Sequence, residues 1–203
     1  MKNLRTLLIV SGGLMVSVAA LFLALQLLEG DKSFRGSMIE PSPPAVDFQL
    51  SQADGTPFKL SEQQGRVVLI FFGYANCPDV CPTTMAEYKR IHSQLGDEAS
   101  QVDFVFITVD PNRDTPEAIG EFAHAFDPSF IGLTGSMEEL LPVWQGYWVG
   151  RQEPAHEASA LDYEINHVTY IYVVDKEGRL RLYFPYGQTA EDMTHDIRVL
   201  LAE

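Results

Sequence analysis

The chain has 203 residues, 28 Asp and Glu against 14 Lys and Arg, a formal net charge of −14, and 46% apolar residues. That apolar fraction excludes a disordered chain, and the excess of acid argues against nucleic acid as a partner. Two cysteines are too few for a disulfide-built scaffold.

Residues 7–28 form an uncharged apolar run, LLIVSGGLMVSVAALFLALQLL. As an α-helix, such a run spans the ~30 Å hydrocarbon core of a bilayer. Lys2 and Arg5 precede it, and Glu29 and Asp31 follow. The positive-inside rule therefore puts the N-terminus in the cytoplasm and the rest of the chain outside, in the periplasm or its equivalent. Ser17-Val18-Ala19 resembles a signal-peptide cleavage site, but the apolar run continues past it to Leu28. The stretch therefore reads as an uncleaved membrane anchor over residues 1–30.

Residues 31–44, with Pro41, Pro43 and Pro44 and no apolar period, read as a linker. Residues 45–203 then form one domain. Removing Lys2, Arg5 and Glu29 with the anchor leaves 12 basic and 27 acidic side chains, so the acidity belongs to the external part.

Val46–Leu50 and Phe58–Leu60 flank the turn residues Asp54-Gly55 and predict a β-hairpin. Val67–Phe72 is apolar at consecutive positions, as suits a strand buried on both faces. The periodicity of Met85, Tyr88, Ile91 and Leu95 predicts a helix over Thr83–Gly96. Val102–Val109 is a second buried strand. Thr115-Pro116 starts a helix to about Phe126, with Thr as N-cap and Pro at N1. Phe130–Leu133 is a short strand, and Ser136 with Glu139 forms a capping box for a helix to about Trp148. Residues 150–166 read as a long polar loop. Val168–Val174 and Leu180–Phe184 form a closing hairpin around Gly178, and Thr189 caps a last helix to about Ala202. This order predicts an α/β fold, a thioredoxin-like sandwich with a central mixed sheet and an N-terminal β-hairpin extension.

The two cysteines lie in Gly73-Tyr74-Ala75-Asn76-Cys77-Pro78-Asp79-Val80-Cys81-Pro82, between a buried strand and a helix. Pro82 suits the first helical position, which puts Cys81 at or beside the N-cap. A helix N-terminus favours the thiolate, the form that binds metal or attacks a disulfide. The C-x3-C spacing is one residue wider than that of thioredoxin-type redox motifs. A purely structural disulfide here would close a tiny loop and remove little chain entropy.

Of the five histidines, His92 and His195 fall in helices and are expected to be solvated. His124 reads as a surface histidine, and His156 sits in the polar loop. His167 stands at the mouth of a strand that a thioredoxin-like fold places beside the cysteine turn. Cys77, Cys81 and His167 make a soft three-ligand set, which suits copper better than four-coordinate structural zinc, with zinc still open. Met85 belongs to its helix's apolar stripe and reads as core.

These segments together resemble the Sco/SenC family of copper-binding, membrane-anchored assembly proteins. The resemblance is carried by Phe72-Gly73-Tyr74 with Cys77-Pro78-Asp79-Val80-Cys81-Pro82, by Val109-Asp110-Pro111-Asn112-Arg113-Asp114-Thr115-Pro116, by Gly132-Leu133-Thr134-Gly135, and by Asp162-Tyr163-Glu164-Ile165-Asn166-His167. It spans about residues 45–203. It implies one copper ion per chain, Cu(I) or Cu(II), on Cys77, Cys81 and His167, with Asp162 in a supporting or partner-contact role.

It further implies a metallochaperone that assembles the dinuclear copper centre of cytochrome c oxidase. The alternative is a thiol–disulfide reductase of the oxidase subunit's cysteines, with Cys77 and Cys81 as the redox pair. The implied partners are oxidase subunit II or a similar copper protein, with an upstream copper carrier or thiol reductant. Asn76, Asn166 and Val168 depart from residues common in the family, beside the ligands and not at them. Residues 110–116 read as structural, with Arg113 and Asp114 paired across a turn. A peroxiredoxin-like peroxidase lacks the Arg it needs in the cysteine segment.

Overall fold

The computed structural model describes residues 33–152 and 165–203. The expected anchor lies outside them. Among the described residues no helix is long and apolar enough to cross a membrane.

Two strands form the centre. β4 (Val67–Gly73) and β5 (Val102–Thr108) run parallel, pairing from Val67↔Val102 to Gly73↔Thr108, and every residue of both is buried. Consecutive apolar residues are what such doubly covered strands require. The one carboxylate among them, Asp103, is met by Arg66 through two bonds of 2.8 and 2.7 Å. Fork-to-carboxylate pairing of this kind offsets the cost of burying the charge.

From edge to edge the sheet runs β1 (Ser37–Met38), β8 (Leu180–Phe184), β7 (Ile171–Val174), β4, β5 and β6 (Ile131–Leu133). β6 (Ile131–Leu133) continues the parallel half. β7 (Ile171–Val174) and β8 (Leu180–Phe184) are the antiparallel closing hairpin, with β7 against β4. The N-terminal hairpin of β2 (Gln49–Ser51) and β3 (Pro57–Lys59) stands apart as a two-stranded sheet.

Helix α1 (Val80–Leu95) joins β4 to β5, and α2 (Pro116–His124) joins β5 to β6. Both crossovers step the same way along the sheet, so right-handed connection puts both helices on one face. The packing agrees. Tyr88 of α1 meets Phe104, and Phe122 of α2 meets Phe106, two residues on along β5. Helix α4 (Ala190–Ala202) lies against α1, joined by Thr194 to Gln94 and by Arg198 to Glu98.

The other face carries α3 (Met137–Gly146) and the N-terminal hairpin. Tyr147, just past α3, packs on Phe72, Tyr172 and Phe48. The expected thioredoxin-like sandwich with a mixed sheet is therefore the fold observed. Thr115, Ser136 and Thr189 cap their helices as expected, Ser136 with the full capping box.

Several details differ from expectation. Residues 33–44 are not a free linker. Ser37–Met38 forms β1 on the edge of the sheet against β8, and Pro44 bridges Arg179. The backbone N–H groups of Arg35 and Gly36 donate to the fully buried Asp196 carboxylate at 2.9 and 2.7 Å. A buried carboxylate needs such donors, and a sheet edge needs a cover, so tertiary demand overrides the local composition. Helix α1 starts at Val80, three residues early, with Asp79 as N-cap. Helix α3 stops at Gly146, and Trp148 takes a positive φ of 53°. His92 is not simply solvated. Its ring packs on Phe104 and Phe130 and stands 3.7 Å from the Asp127 carboxylate.

Candidate metal centre

β4 delivers the chain to the end of the sheet at Gly73, whose carbonyl accepts from Val109 at 2.7 Å. Gly73 is there for space. A Cβ would lie 2.6 Å from the Phe106 ring and 2.7 Å from Cys81 Sγ. The chain then turns, with Cys77 N–H donating to the Tyr74 carbonyl at 3.2 Å, and enters α1.

The helix start treats the two cysteines unequally. Asp79 makes no capping bond with its side chain. Instead Cys77 Sγ accepts the backbone N–H of Cys81 at 3.4 Å. Cys77 is half-buried, whereas Cys81 is buried in the core; both thiols are free. The Cys77 thiol is lowered to about 5. The Cys81 side chain donating to it is the main cause, against the cost of burial, with backbone N–H groups and His167 assisting. Cys81 is raised, by that same bond and by burial. The expectation that Cys81 is the thiolate at the helix start is therefore corrected. With the helix beginning at Val80, Cys81 is its second residue and turns into the core, leaving Cys77 to face the orphan N–H groups.

His167 comes from the other side. It precedes β7 by four residues, not one. Its segment is held by Val168 N–H donating to the Val149 carbonyl at 2.9 Å and by a bridge between Asn166 and Gln152. The ring packs against Phe71 and Tyr74 at 6.4 and 6.3 Å. Its Nδ1 is 2.9 Å from the Val168 carbonyl. A carbonyl only accepts, so Nδ1 carries the proton and Nε2 keeps the lone pair. Burial, the largest influence, holds the imidazole below its usual pKa and thus neutral, the state in which it ligates. Cys77 and His167 line one cavity of about 380 Å³, together with Tyr74, Asp79, Asn166 and Thr169.

Among the described residues, no three His, Cys, Asp or Glu side chains are gathered as a formed metal site. The donor chemistry nonetheless fits a soft cation: a thiolate, a second sulfur hydrogen-bonded to it, and a neutral imidazole across the cavity. Met85 is fully buried, as its core reading requires. His124 is exposed. Asp162 and His156 lie outside the described residues.

The 110–116 segment does more than turn the chain. Arg113 pairs with Asp110, not with Asp114, and its guanidinium lies 5.5 Å from the Tyr74 ring centre. Asp114, 2% exposed, accepts Thr108 Oγ1–H at 2.6 Å and the Ala75 N–H of the cysteine loop at 3.2 Å. Burial raises its carboxyl to about 6, in spite of those two donors. Sequence reasoning missed this role. The available signal was an acidic residue wedged between a strand end and a helix cap.

A model of the SCO1/SenC family matches residues 37–202. A SCO2-like protein of Rickettsia conorii is 31% identical over 188 residues, covering 91% of this chain and 92% of its own length. The solution structure of apo Sco1 from Thermus thermophilus has a TM-score of 0.75 and 38% identity, covering 83% of this chain and 98% of that one. Bradyrhizobium japonicum ScoI with copper bound has a TM-score of 0.71 and 34% identity, covering 78% and 99%. The chain belongs to the SCO1/SenC family.

Proposed function

We propose that this protein is a membrane-anchored copper metallochaperone that carries one copper ion as cargo on Cys77, Cys81 and His167, for assembly of the dinuclear copper centre of cytochrome c oxidase. One observation carries the reading. A thiolate at Cys77 and a neutral imidazole at His167, with Nε2 keeping its lone pair, line the same cavity at the end of the sheet. Kinship supports it, since a relative of 34% identity is described with copper bound. Thiolate and imidazole donors favour copper, and with Cys77 and His167 on an open cavity the set suits an ion that must later be handed on. The oxidase as destination, and subunit II as recipient, follow from the family resemblance.

The test is copper titration of the purified chain, wild type against His167→Ala. Wild type is expected to bind one equivalent. The variant is expected to lose more affinity than the ~10–100-fold typical of removing an outer-shell partner. Equal affinity in the two proteins refutes the ligand set.

A second reading, thiol–disulfide reductase, is favoured by the asymmetry of the pair. The Cys77 thiolate would attack a partner disulfide, releasing one partner thiolate and forming a mixed disulfide. Cys81, losing its proton, would then close the Cys77–Cys81 disulfide and release the second partner thiol. In that case His167→Ala keeps disulfide reduction while Cys77→Ser abolishes it.

A further inference from the structure

We propose that Asp114 is a positioning residue for the metal site, tying the cysteine loop to the same turn that holds the His167 segment. This rests on the copper-carrier reading above.

The end of β5 and the turn after it, residues 108–114, sit between the two halves of the site. Toward the cysteines, the Asp114 carboxylate accepts the Ala75 N–H, two residues before Cys77. Thr108 Oγ1 holds that carboxylate at 2.6 Å and itself accepts the Asp110 N–H at 2.8 Å. The backbone of Asp114 is pinned as well, its carbonyl accepting Thr134 Oγ1–H at 3.0 Å. Toward the histidine, Trp144 Nε1–H donates to the Thr108 carbonyl and Arg151 Nε–H to the Val109 carbonyl. The segment carrying Trp144 and Arg151 then meets the His167 segment through Val149 with Val168 and Gln152 with Asn166. Arg113 adds a shorter route across the top, lying over Tyr74, whose ring packs on His167.

The arrangement has a physical purpose. The two cysteines are local in sequence, but His167 arrives from the segment ahead of β7, 86 positions after Cys81. Two ligand-bearing segments so far apart keep a fixed separation only if both are anchored to one rigid body. β5, fully buried, is that body, and Asp114 is the side chain by which the cysteine loop is fastened to it. A buried carboxylate with two directional donors resists displacement better than an apolar contact does.

The experiment uses the full chain in detergent and compares wild type, Asp114→Ala, Thr108→Val and the distant control Asp103→Asn. Folding is checked by circular dichroism. Copper affinity is read by chelator competition, and amide exchange of the metal-free chain is read across residues 73–79. Asp114→Ala is expected to lose protection at Ala75 and to bind copper ~10–100-fold more weakly at unchanged stoichiometry. Thr108→Val, which keeps the side-chain shape but frees the carboxylate, is expected to shift both readouts in the same direction. Asp103→Asn is expected to lower the melting temperature without moving either. If either folded variant, Asp114→Ala or Thr108→Val, keeps wild-type copper affinity and Ala75 protection, the proposal is overturned. If instead wild type binds no copper, the carrier reading fails, and Ala75 exchange alone still decides whether Asp114 braces the loop.

Discussion

Cys77 and Cys81 belong to the same loop, and their difference comes from where the helix begins. The start at Val80 aims Cys81 into the core and leaves Cys77 to receive the first N–H groups. Cys77 therefore carries the charge of the pair, and Cys81 stabilises it by donating. Iodoacetamide alkylation of the reduced chain should follow the thiolate fraction. Its rate at Cys77 is expected to rise with a midpoint near pH 5 and to be flat above about pH 6, while Cys81 stays slow through neutral pH. Peptide mapping of the alkylated positions checks this. A midpoint near 9, the ordinary thiol value, would sink the assignment of Cys77 as the thiolate. The same asymmetry serves both proposed functions, because metal capture and disulfide attack each begin from a thiolate.

At the level of elements, the site depends on how closely β4 can approach α1. Gly73 ends β4 where a Cβ would overlap both the Phe106 ring and Cys81 Sγ. Gly73→Ala should thus force the helix start away from the sheet, with an overpacking cost of about 1–3 kcal/mol. Denaturant unfolding measures the cost, and copper titration shows whether Cys81 has moved. Unchanged stability together with unchanged affinity would mean that α1 is seated more loosely than the packing indicates. The cap positions Thr115, Ser136 and Thr189 illustrate the opposite case, where an element's boundary follows from its own side chains. Their hydroxyls satisfy orphan N–H groups locally, so no distant partner is needed to define the start.

Taken whole, the described domain is one body that includes its own N-terminal strap. β1 and the Arg35 and Gly36 bonds to Asp196 draw residues 34–44 onto the domain surface. Only a few residues then separate the strap from the apolar run ending at Leu28. If that run is the proposed anchor, the full chain should sediment with membranes and stay there through an alkaline carbonate wash. A chain beginning at residue 31 should remain in the supernatant. Extraction of the full chain by carbonate would instead favour a cleaved or peripheral N-terminus. The acidic excess lies in residues 31–203, the part of the chain that carries the site, where it suits a basic partner surface as well as plain solubility.

The sequence by itself determined the fold class, the order of elements and most helix starts. Those signals are local: buried strands are written as unbroken apolar runs, and caps as single side chains next to the backbone they serve. It also singled out Cys77, Cys81 and His167 as the candidate ligands, because thiols and imidazoles are few in this chain and their chemistry is specific. Only the tertiary structure decided which cysteine bears the charge, that Ser37–Met38 of the expected linker joins the sheet, and that Asp114 fastens the cysteine loop to β5. Each of those depends on burial and on partners far away in the chain. Asp114 meets Ala75 across 39 positions and Arg35 meets Asp196 across 161, distances over which a pattern of residue types carries no geometry.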